Sequence, residues 1–351
     1  MTTQEFLGKK EFTINNQTVS ESCPSNIALI KYWGKYDNQI PANPSISYTL
    51  NHCKTNTVME FLADETFSVQ TFLAGNEETK FAEKIEKYFK NIEQYLPWIL
   101  KGKYIIRTEN TFPHSSGIAS SASGFGAIAK CLMKLDEVFS GEISEEESLR
   151  KASFLARLGS GSACRSLYGG LVVWGQSQVK GSSDLFAVKY PDDEIHEIFK
   201  NFNDWVLLIH EGQKSVSSTV GHGLMNTNPY AERRFQEARE NFEPMKGILK
   251  NGDMQGFIKL VEHEALTLHA MMMMSDPAFI LMKTGTLEVI NKIWDFRNET
   301  NLPLFFTLDA GANVHLLFPN DGNEEKIKSF IETALLQHTQ KNGVVKDVMR
   351  F

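Results

Sequence analysis

A segment rich in glycine and serine, residues 113–124, has the composition of a loop that binds phosphate. Its five serines fall within nine residues, at Ser115, Ser116, Ser120, Ser121 and Ser123. A helix is predicted to follow from Gly124, so backbone N–H groups, hydroxyls and the positive end of the helix dipole would face one anion. The Walker ending and the GxGxxG spacing are both absent. The segment therefore favours another kind of phosphate loop, the alternative being an ordinary helix capped by one serine.

Two lysines four residues apart, Lys31 and Lys35, follow an apolar segment that is predicted to be a strand. Lys31 would share one strand face with Ile27 and Leu29. Compact ammonium groups at the end of a strand are suited to capturing a polyanion. A strand that simply ends in solvated lysines explains this segment equally well.

Arg165 lies in a stretch of small residues, 157–166, that would let a ligand approach the backbone. Its guanidinium could hold a carboxylate or a phosphate through two parallel hydrogen bonds. The alternative is a helix that ends at Gly159 and is followed by a serine-capped turn.

Asp309 stands where a predicted strand turns sharply, within residues 307–313. A carboxylate at this position can face a cleft, and a nearby lysine would keep it ionised and oriented. Taken alone, Asp-Ala-Gly is more typical of a simple turn than of a catalytic site.

The histidines and cysteines predict no metal centre. His263 and His269 are six residues apart, whereas a helical metal site prefers the i, i+4 pair, and His210, His222 and His315 are isolated. The four cysteines form no CxxC pair, and we interpret them as buried thiols in the reducing cytosol: Cys23, Cys53, Cys131 and Cys164.

Length and composition bound the architecture that must position these residues. At roughly 150 residues per domain, a chain of 351 residues predicts two domains. The net charge of −7 argues against broad nucleic-acid binding. No apolar stretch approaches the ~20 residues that span a bilayer, and the first ten residues lack the apolar core of a signal peptide. We place a boundary near residue 195, after the polar stretch 181–194.

Hydrophobic periodicity predicts alternating strands and helices, and so an α+β or α/β fold that periodicity alone does not resolve. The predicted strands are 57–61, 104–107, 170–174, 205–209, 302–308 and 314–318. The predicted helices are 80–95, 124–139, 145–158, 231–249, 254–272, 284–297 and 324–338. A break or kink is expected in the fourth helix at Pro244.

Taken together, the motifs resemble the diphosphomevalonate decarboxylase family of the GHMP kinase superfamily. The resemblance covers the order of motifs from residue 25 to residue 313: residues 26–35, 41–50, 117–124, 157–166 with Gly169 and Gly170, 217–219 and 307–313. The phosphate loop is shared across the superfamily. The combination of KYWGK, RLGSGSACRS and DAG in this order is specific to the decarboxylase branch.

The resemblance implies an α+β fold in two lobes with the site in the cleft between them. Residues 1–195 would form a lobe like domain 2 of ribosomal protein S5, and residues 196–351 a ferredoxin-like lobe carrying the catalytic aspartate. The implied reaction uses ATP and Mg²⁺. It phosphorylates the 3-hydroxyl of mevalonate 5-diphosphate, then releases phosphate and carbon dioxide to give isopentenyl diphosphate. A cytoplasmic homodimer is implied, with no nucleic-acid or membrane partner.

Residue roles carried over from the resemblance centre on three side chains. Asp309 would orient or deprotonate the hydroxyl, Lys31 would lie beside it, and Arg165 would bind the substrate carboxylate. The remaining substrate contacts would come from Tyr32, Lys35, Ser160, Ser162 and Ser218. ATP would meet Ser115, Ser116, Gly117, Ala119, Ser120, Ser121 and Ser123, with Ser121 also a ligand of Mg²⁺.

Three departures from the family pattern keep related activities open. Ala312 replaces a proline, His222 replaces a methionine, and residues 113–116 read Pro-His-Ser-Ser in place of Pro-Thr-Ala-Ala. A decarboxylase of the 5-phosphate, a 3-kinase, another GHMP-type kinase and a silent ligand-binding paralogue remain as alternatives. The retention of Lys31, Arg165 and Asp309 favours decarboxylation.

Overall fold

The computed structural model describes residues 2–113, 118–210, 212 and 216–350. Its first lobe contains a seven-stranded sheet in the order β6-β5-β7-β4-β8-β9, with β1 paired to β4, and a separate pair, β2-β3. The strands are β1 (Gln17–Ile30), β2 (Lys35–Tyr36), β3 (Ile40–Pro41), β4 (Ser45–Ala63), β5 (Ser68–Leu73), β6 (Asn76–Glu77), β7 (Gly102–Asn110), β8 (Leu171–Trp174) and β9 (Ala187–Lys189). The helices are α1 (Thr79–Ile92), α2 (Ser120–Ser140) and α3 (Glu145–Gly159).

The long strand β4 organises this lobe. It pairs with β1 along most of its length, with β7 through its second half and with β8 through its first four residues. From Cys53 to Phe61 every second residue is buried, as expected when one face packs on helices and the other meets solvent. Residues 45–50 are all buried, because there the sheet is covered on both faces.

Helix α2 begins four residues before the predicted start, and its first turn is made of the serines of the phosphate loop. The apolar periodicity starts only at Phe125, so it could not reveal this turn. Helix α3 begins where predicted, because Ser144 and Glu147 form a reciprocal capping box that satisfies the first backbone N–H groups.

The second lobe contains a four-stranded antiparallel sheet in the order β11-β12-β10-β13. Its strands are β10 (Asn201–Leu207), β11 (Phe305–Thr307), β12 (Val314–Pro319) and β13 (Val344–Arg350). Its helices are α4 (Ser218–Leu224), α5 (Ala231–Glu240), α6 (Phe242–Asn251), α7 (Met254–Met273), α8 (Thr284–Thr300) and α9 (Glu324–Phe330). Two sheets with segregated helices confirm the α+β class.

The predicted break at Pro244 is wrong in its position. The helix divides at Asn241, and Pro244 is the third residue of α6. A proline is tolerated in the first turn of a helix, where its missing N–H would have no partner within the helix. The chain therefore places the break before the proline.

Some predicted elements have other bounds in the structure. The strand expected at 205–209 is β10, shifted toward the N-terminus, and the strand expected at 302–308 shrinks to β11. The helix expected at 324–338 is α-helical only through α9. It continues as a π turn (Ile331–Leu335) and a 3-10 turn (Leu336–His338).

The two sheets are joined by a hydrophobic cluster that both lobes supply. Ile27 and Tyr48 of the first lobe belong to the same cluster as Phe202 and Met349 of the second. The predicted boundary at residue 195 lies between β9 and β10 and stays a prediction. All four cysteines are buried free thiols, as predicted. Among the described residues, no helix has both the length and the apolar character that a membrane crossing requires.

Candidate active site

A cavity of about 570 Å³ lies between the lobes. From the first lobe it is lined by the residues after β1, by α1, by the start of α2 and by the 3-10 helix Gly161–Leu167. From the second lobe it is lined by the start of α4, by α7 and by the turn after β11. The sequence-predicted residues that line it are Lys31, Tyr32, Lys35, Ala119, Ser120, Ser121, Ser160, Ser162, Arg165, Ser218 and Asp309.

Lys31 and Asp309 form an ion pair across the cavity floor. The Lys31 Nζ lies 3.2 Å from Oδ1 of Asp309, and the two side chains are 1% and 28% exposed. Burial lowers the pKa of Lys31, and the negative charges of Asp309 and Glu264 oppose that shift. The pair thus presents a partly exposed carboxylate with a buried cation behind it, which suits a group that orients a hydroxyl and accepts its proton.

The turn that carries Asp309 is fixed from two sides. Thr286 donates its hydroxyl to the carbonyl of Ala312 at 2.6 Å, and the side-chain carbonyl of Asn313 accepts the backbone N–H of His210 at 2.9 Å. The backbone N–H of Gly311 also bonds the carbonyl of Asp309 at 2.7 Å. These contacts hold the turn although Ala312 lacks the φ restriction of the family's proline.

Arg165 is buried, and its hydrogen bonds to the protein leave part of its guanidinium group available for a ligand. Its Nε and one terminal nitrogen both donate to the side-chain carbonyl of Asn26 at 3.2 Å, and the other terminal nitrogen donates to Ser45. A guanidinium has five N–H donors, and these bonds use three. The two others can serve a carboxylate in the cavity. Burial lowers the pKa of Arg165, although the group remains a cation at any ordinary pH.

The start of α2 presents Ala119, Ser120 and Ser121 to the cavity. Ser123 does not line it: this side chain is fully buried and bonds the hydroxyl of Thr55 at 2.6 Å. Two helical residues after Ser121, a side chain has turned by about 200° and faces the sheet. The hydroxyl of Ser123 therefore faces away from the cavity, and its contact with ATP stays a prediction. His114, Ser115, Ser116 and Gly117 lie outside the described residues.

Two glycines of the predicted motifs are required by close packing. Gly34 has φ +99°, and a Cβ there would lie 2.5 Å from the ring of Phe235. A Cβ on Gly161 would lie 2.8 Å from the hydroxyl of Tyr32. Gly161 therefore lets Tyr32 approach the backbone beside the cavity.

Lys84 lines the cavity, although it belongs to none of the sequence motifs. It projects from α1 and its Nζ lies 4.8 Å from the centroid of the Phe125 ring. Desolvation and the nearby charge of Lys35 lower the pKa of Lys84. Lys35 donates to the side-chain carbonyl of Gln39 at 2.8 Å, and no described carboxylate lies within 4.0 Å of either lysine. On a helix with many solvated lysines, no sequence signal marks this one.

His222 also lines the cavity, at the place where the family pattern has methionine. Its ring lies between Tyr32 and Trp33, with centroids 4.4 and 4.5 Å away. The backbone N–H of Gly34 donates to its Nδ1 at 2.9 Å, which places the ring proton on Nε2. Burial, and to a lesser degree the charge of Lys35, lowers the pKa of His222 to about 3. The imidazole is therefore neutral at ordinary pH.

The described residues contain no group of three or more His, Cys, Asp or Glu side chains that could hold a metal ion. Ser121 at the start of α2 lines the cavity, and Ser160 donates to its hydroxyl oxygen at 3.5 Å. Mg²⁺ commonly binds through one or two protein oxygens plus substrate phosphates. This donor set fits a magnesium ion that arrives with a nucleotide.

Comparison with known proteins gives consistent matches over nearly the whole chain. A family model described as diphosphomevalonate decarboxylase-like N-terminal domain matches residues 23–187. A second, described as mevalonate 5-diphosphate decarboxylase C-terminal domain, matches residues 205–350. The diphosphomevalonate decarboxylase of Candida albicans is 30% identical over 90% of this chain and 87% of its own length. The diphosphomevalonate decarboxylase of Saccharomyces cerevisiae is 31% identical over 90% of this chain and 81% of its own length.

Solved structures are similar over the same extent. The mevalonate diphosphate decarboxylase from Staphylococcus aureus has a TM-score of 0.81 and 29% identity, covering 95% of this chain and 96% of that one. A structure of MDDEF in complex with MVAPP, AMPPCP and magnesium has a TM-score of 0.80 and 27% identity, and the match covers 95% of this chain and 97% of that one. These similarities confirm the two-lobed fold that the resemblance implied.

Proposed function

The chain belongs to the diphosphomevalonate decarboxylase family, and from that premise we propose that it converts mevalonate 5-diphosphate and ATP into isopentenyl diphosphate. The observation that carries the proposal is the Lys31–Asp309 pair, which shares one cavity with Arg165 and the start of α2. An acid–base group, a carboxylate-binding cation and a phosphate-binding helix end are the parts that this reaction needs. The reaction places the protein in isoprenoid biosynthesis.

The first step is phosphoryl transfer to the tertiary alcohol. The 3-hydroxyl oxygen attacks the terminal phosphorus of ATP, its proton passes to the carboxylate of Asp309, and ADP leaves. Phosphoryl transfer depends mainly on positioning and on electrostatic stabilisation. Lys31, whose Nζ lies 3.2 Å from Asp309, would orient the carboxylate and stabilise the charge on the transferred group.

The second step is elimination with loss of carbon dioxide. The C3–O bond breaks and inorganic phosphate takes its electron pair. The pair that joined the carboxyl carbon to C2 then forms the C2–C3 double bond. Asp309 would return its proton to the departing phosphate, which leaves as hydrogen phosphate. Positive charge develops at C3 as phosphate departs, and the regenerated Asp309 carboxylate would stabilise it electrostatically. Arg165 would hold the substrate carboxylate through the donors that Asn26 and Ser45 leave available.

The diphosphate of the substrate would lie near the lysines of the first lobe. Lys35 and Lys84 both line the cavity, and neither forms an ion pair with a described carboxylate. Two cations close to each other are stabilised by a bound polyanion. The hydroxyl groups of Tyr32, Ser160, Ser162 and Ser218 would complete this subsite.

ATP would bind at the start of α2, where Ala119, Ser120 and Ser121 face the cavity. Orphan backbone N–H groups and the helix dipole make such a helix end favourable for phosphate. Ser121 would supply the protein oxygen for the Mg²⁺ bound to the nucleotide, and that ion would neutralise phosphate charge. Ser115, Ser116 and Gly117 remain proposed ATP contacts from the sequence alone.

We also propose a cytoplasmic location and a homodimer, which the family resemblance implies. Light scattering of the purified protein tests the dimer, and fractionation of cells that express the tagged chain tests the location. A monomeric mass at assay concentration would contradict the dimer.

A single product analysis tests the proposed reaction. The enzyme is incubated with ATP, Mg²⁺ and mevalonate, its 5-phosphate or its 5-diphosphate, and the products are identified by mass spectrometry. We expect ADP, inorganic phosphate and carbon dioxide in equal amounts from the 5-diphosphate. ADP with a stable phosphate ester would indicate a kinase, turnover of the 5-phosphate alone would indicate the related decarboxylase, and binding without turnover would indicate a silent paralogue.

A further inference from the structure

Helix α7 passes behind the ion pair and contacts the backbone of both partners. Glu264, which is fully buried, accepts the backbone N–H of Lys31 at 2.8 Å through Oε2. His269 lies five residues farther along the helix and is 1% exposed. Its Nε2 lies 3.1 Å from the backbone carbonyl oxygen of Asp309. A carbonyl oxygen only accepts, so His269 is the donor in this bond.

Glu264 is itself held in place by charged and polar partners. Both terminal nitrogens of Arg234 donate to its two oxygens, one of them at 3.1 Å. Asn241, at the break between α5 and α6, donates to Oε1 at 2.6 Å. A buried carboxylate with this many bonds has little freedom to move. Its contact with Lys31 therefore fixes the backbone of that residue.

Lys31 and Asp309 both lie just beyond the end of a strand. Lys31 follows the last residue of β1, and Asp309 comes two residues after β11, which has only three residues. At these positions the hydrogen-bond ladders of the sheets no longer hold the backbone. Asn43 bonds the carbonyl of Lys31 at 2.9 Å and Gly311 bonds that of Asp309 at 2.7 Å, but only the contacts from α7 tie both backbones to one element.

We propose that His269 and Glu264 are positioning residues, through which one rigid helix sets the separation of the Lys31 and Asp309 side chains. The inference rests on the proposed function, since the positioned groups are those of the proposed reaction. Misplacement of a reacting group by about 1 Å can cost about 10²-fold in rate. Loss of either contact should therefore lower kcat and leave substrate binding largely intact.

Two substitutions at His269 separate positioning from simple packing. The amide nitrogen of H269Q can reach the position of the imidazole Nε2, whereas that of H269N stops about where Nδ1 lies. We expect H269N to lower kcat about 10²-fold with KM within about twofold of wild type, and H269Q to recover kcat to within about fivefold. H263Q is the matched control, because His263 lies on the exposed side of α7, and it should leave kcat unchanged.

E264D gives an independent test that does not depend on the folding of the His269 variants. It keeps a negative charge for Arg234 and withdraws the carboxylate from the Lys31 backbone, so kcat should fall about tenfold or more at unchanged KM. Equal kcat values for H269N, H269Q and wild type, or losses confined to KM or to the unfolding temperature, would overturn the inference. The wild-type enzyme must release carbon dioxide in the same assay. If the wild-type enzyme released no carbon dioxide, the result would contradict the proposed function and not the positioning role of α7.

Discussion

Lys31 and Asp309 lie 278 positions apart in the chain, and their side chains meet at 3.2 Å. One follows the first strand of the first lobe, and the other follows a short strand of the second. The pair therefore exists only when both lobes are folded and packed together. The chemistry assigned to this cavity depends on that interface as much as on the two residues.

Arg165 should be intolerant of replacement by lysine. R165K keeps the charge but loses the planar fork that can bond Asn26, Ser45 and a carboxylate at the same time. We expect kcat/KM for mevalonate 5-diphosphate to fall about 10²-fold, while the affinity for ATP changes little. Steady-state kinetics and nucleotide titration check this, and a variant within twofold of wild type would argue against a carboxylate-binding role.

Lys84 should contribute to substrate affinity more than to turnover. K84M removes one of the two neighbouring cations in the cavity, and KM for mevalonate 5-diphosphate should rise about tenfold, or about 1.4 kcal/mol. Added salt should bring the KM values of K84M and wild type closer together, because salt screens the attraction between Lys84 and the substrate diphosphate. K87M is the control, because Lys87 lies on the same helix but does not line the cavity, and it should leave KM unchanged. Equal effects of the two substitutions would exclude a specific role.

His222 should make the folded protein less stable in acid. Its pKa is lowered from the ordinary 6.5 to about 3. Between these two pH values the imidazole binds a proton in the unfolded chain but stays neutral in the folded protein. The contribution of His222 to the free energy of unfolding is therefore fully present above pH 6.5. Its contribution declines by up to about 1.4 kcal/mol per pH unit as the pH falls toward 3.

Urea unfolding at several pH values measures this effect. H222M should flatten the dependence of the free energy of unfolding on pH between pH 6.5 and 4. An unchanged slope in H222M would mean that the imidazole is protonated in the folded protein.

Asp347 should be a stabilising link between the lobes. Its carboxylate on β13 accepts the backbone N–H groups of Asn51, His52 and Cys53 on β4, at 3.0, 2.9 and 2.6 Å. D347A leaves these N–H groups without an acceptor, so we expect a loss of about 3 kcal/mol in the free energy of unfolding. Denaturant titration measures this loss, and D321A on an exposed turn is the control. A loss below about 0.5 kcal/mol would show that water replaces the carboxylate.

Local signals in the sequence predicted the parts of the fold that depend on local physics. The apolar stripe of α2 and the capping residues of α3 are examples, because each is set by spacing within one element. The break was predicted at Pro244 but occurs at Asn241, because proline is unfavourable in the interior of a helix but is tolerated in its first turn. Strand β13 was not predicted, because Lys346 and Asp347 interrupt its apolar residues.

The composition of the cavity could be predicted only in part. The motifs singled out Lys31, Arg165 and Asp309, but their meeting depends on how two sheets pack, which no local pattern encodes. Ser123 illustrates the limit, since only the helical turn reveals that it faces β4. Lys84 and the contacts of α7 were missed because a lysine, a glutamate and a histidine on helices give no sign of what they touch.

The central claim is that the Asp309 carboxylate acts on the substrate hydroxyl. The most direct measurement is release of labelled carbon dioxide from carboxyl-labelled mevalonate 5-diphosphate by D309N, with folding checked by thermal unfolding and ATP affinity by titration. We expect release to fall by at least about 10³-fold while ATP binds within a few fold of wild type. A folded D309N enzyme that releases carbon dioxide at the wild-type rate would contradict the claim.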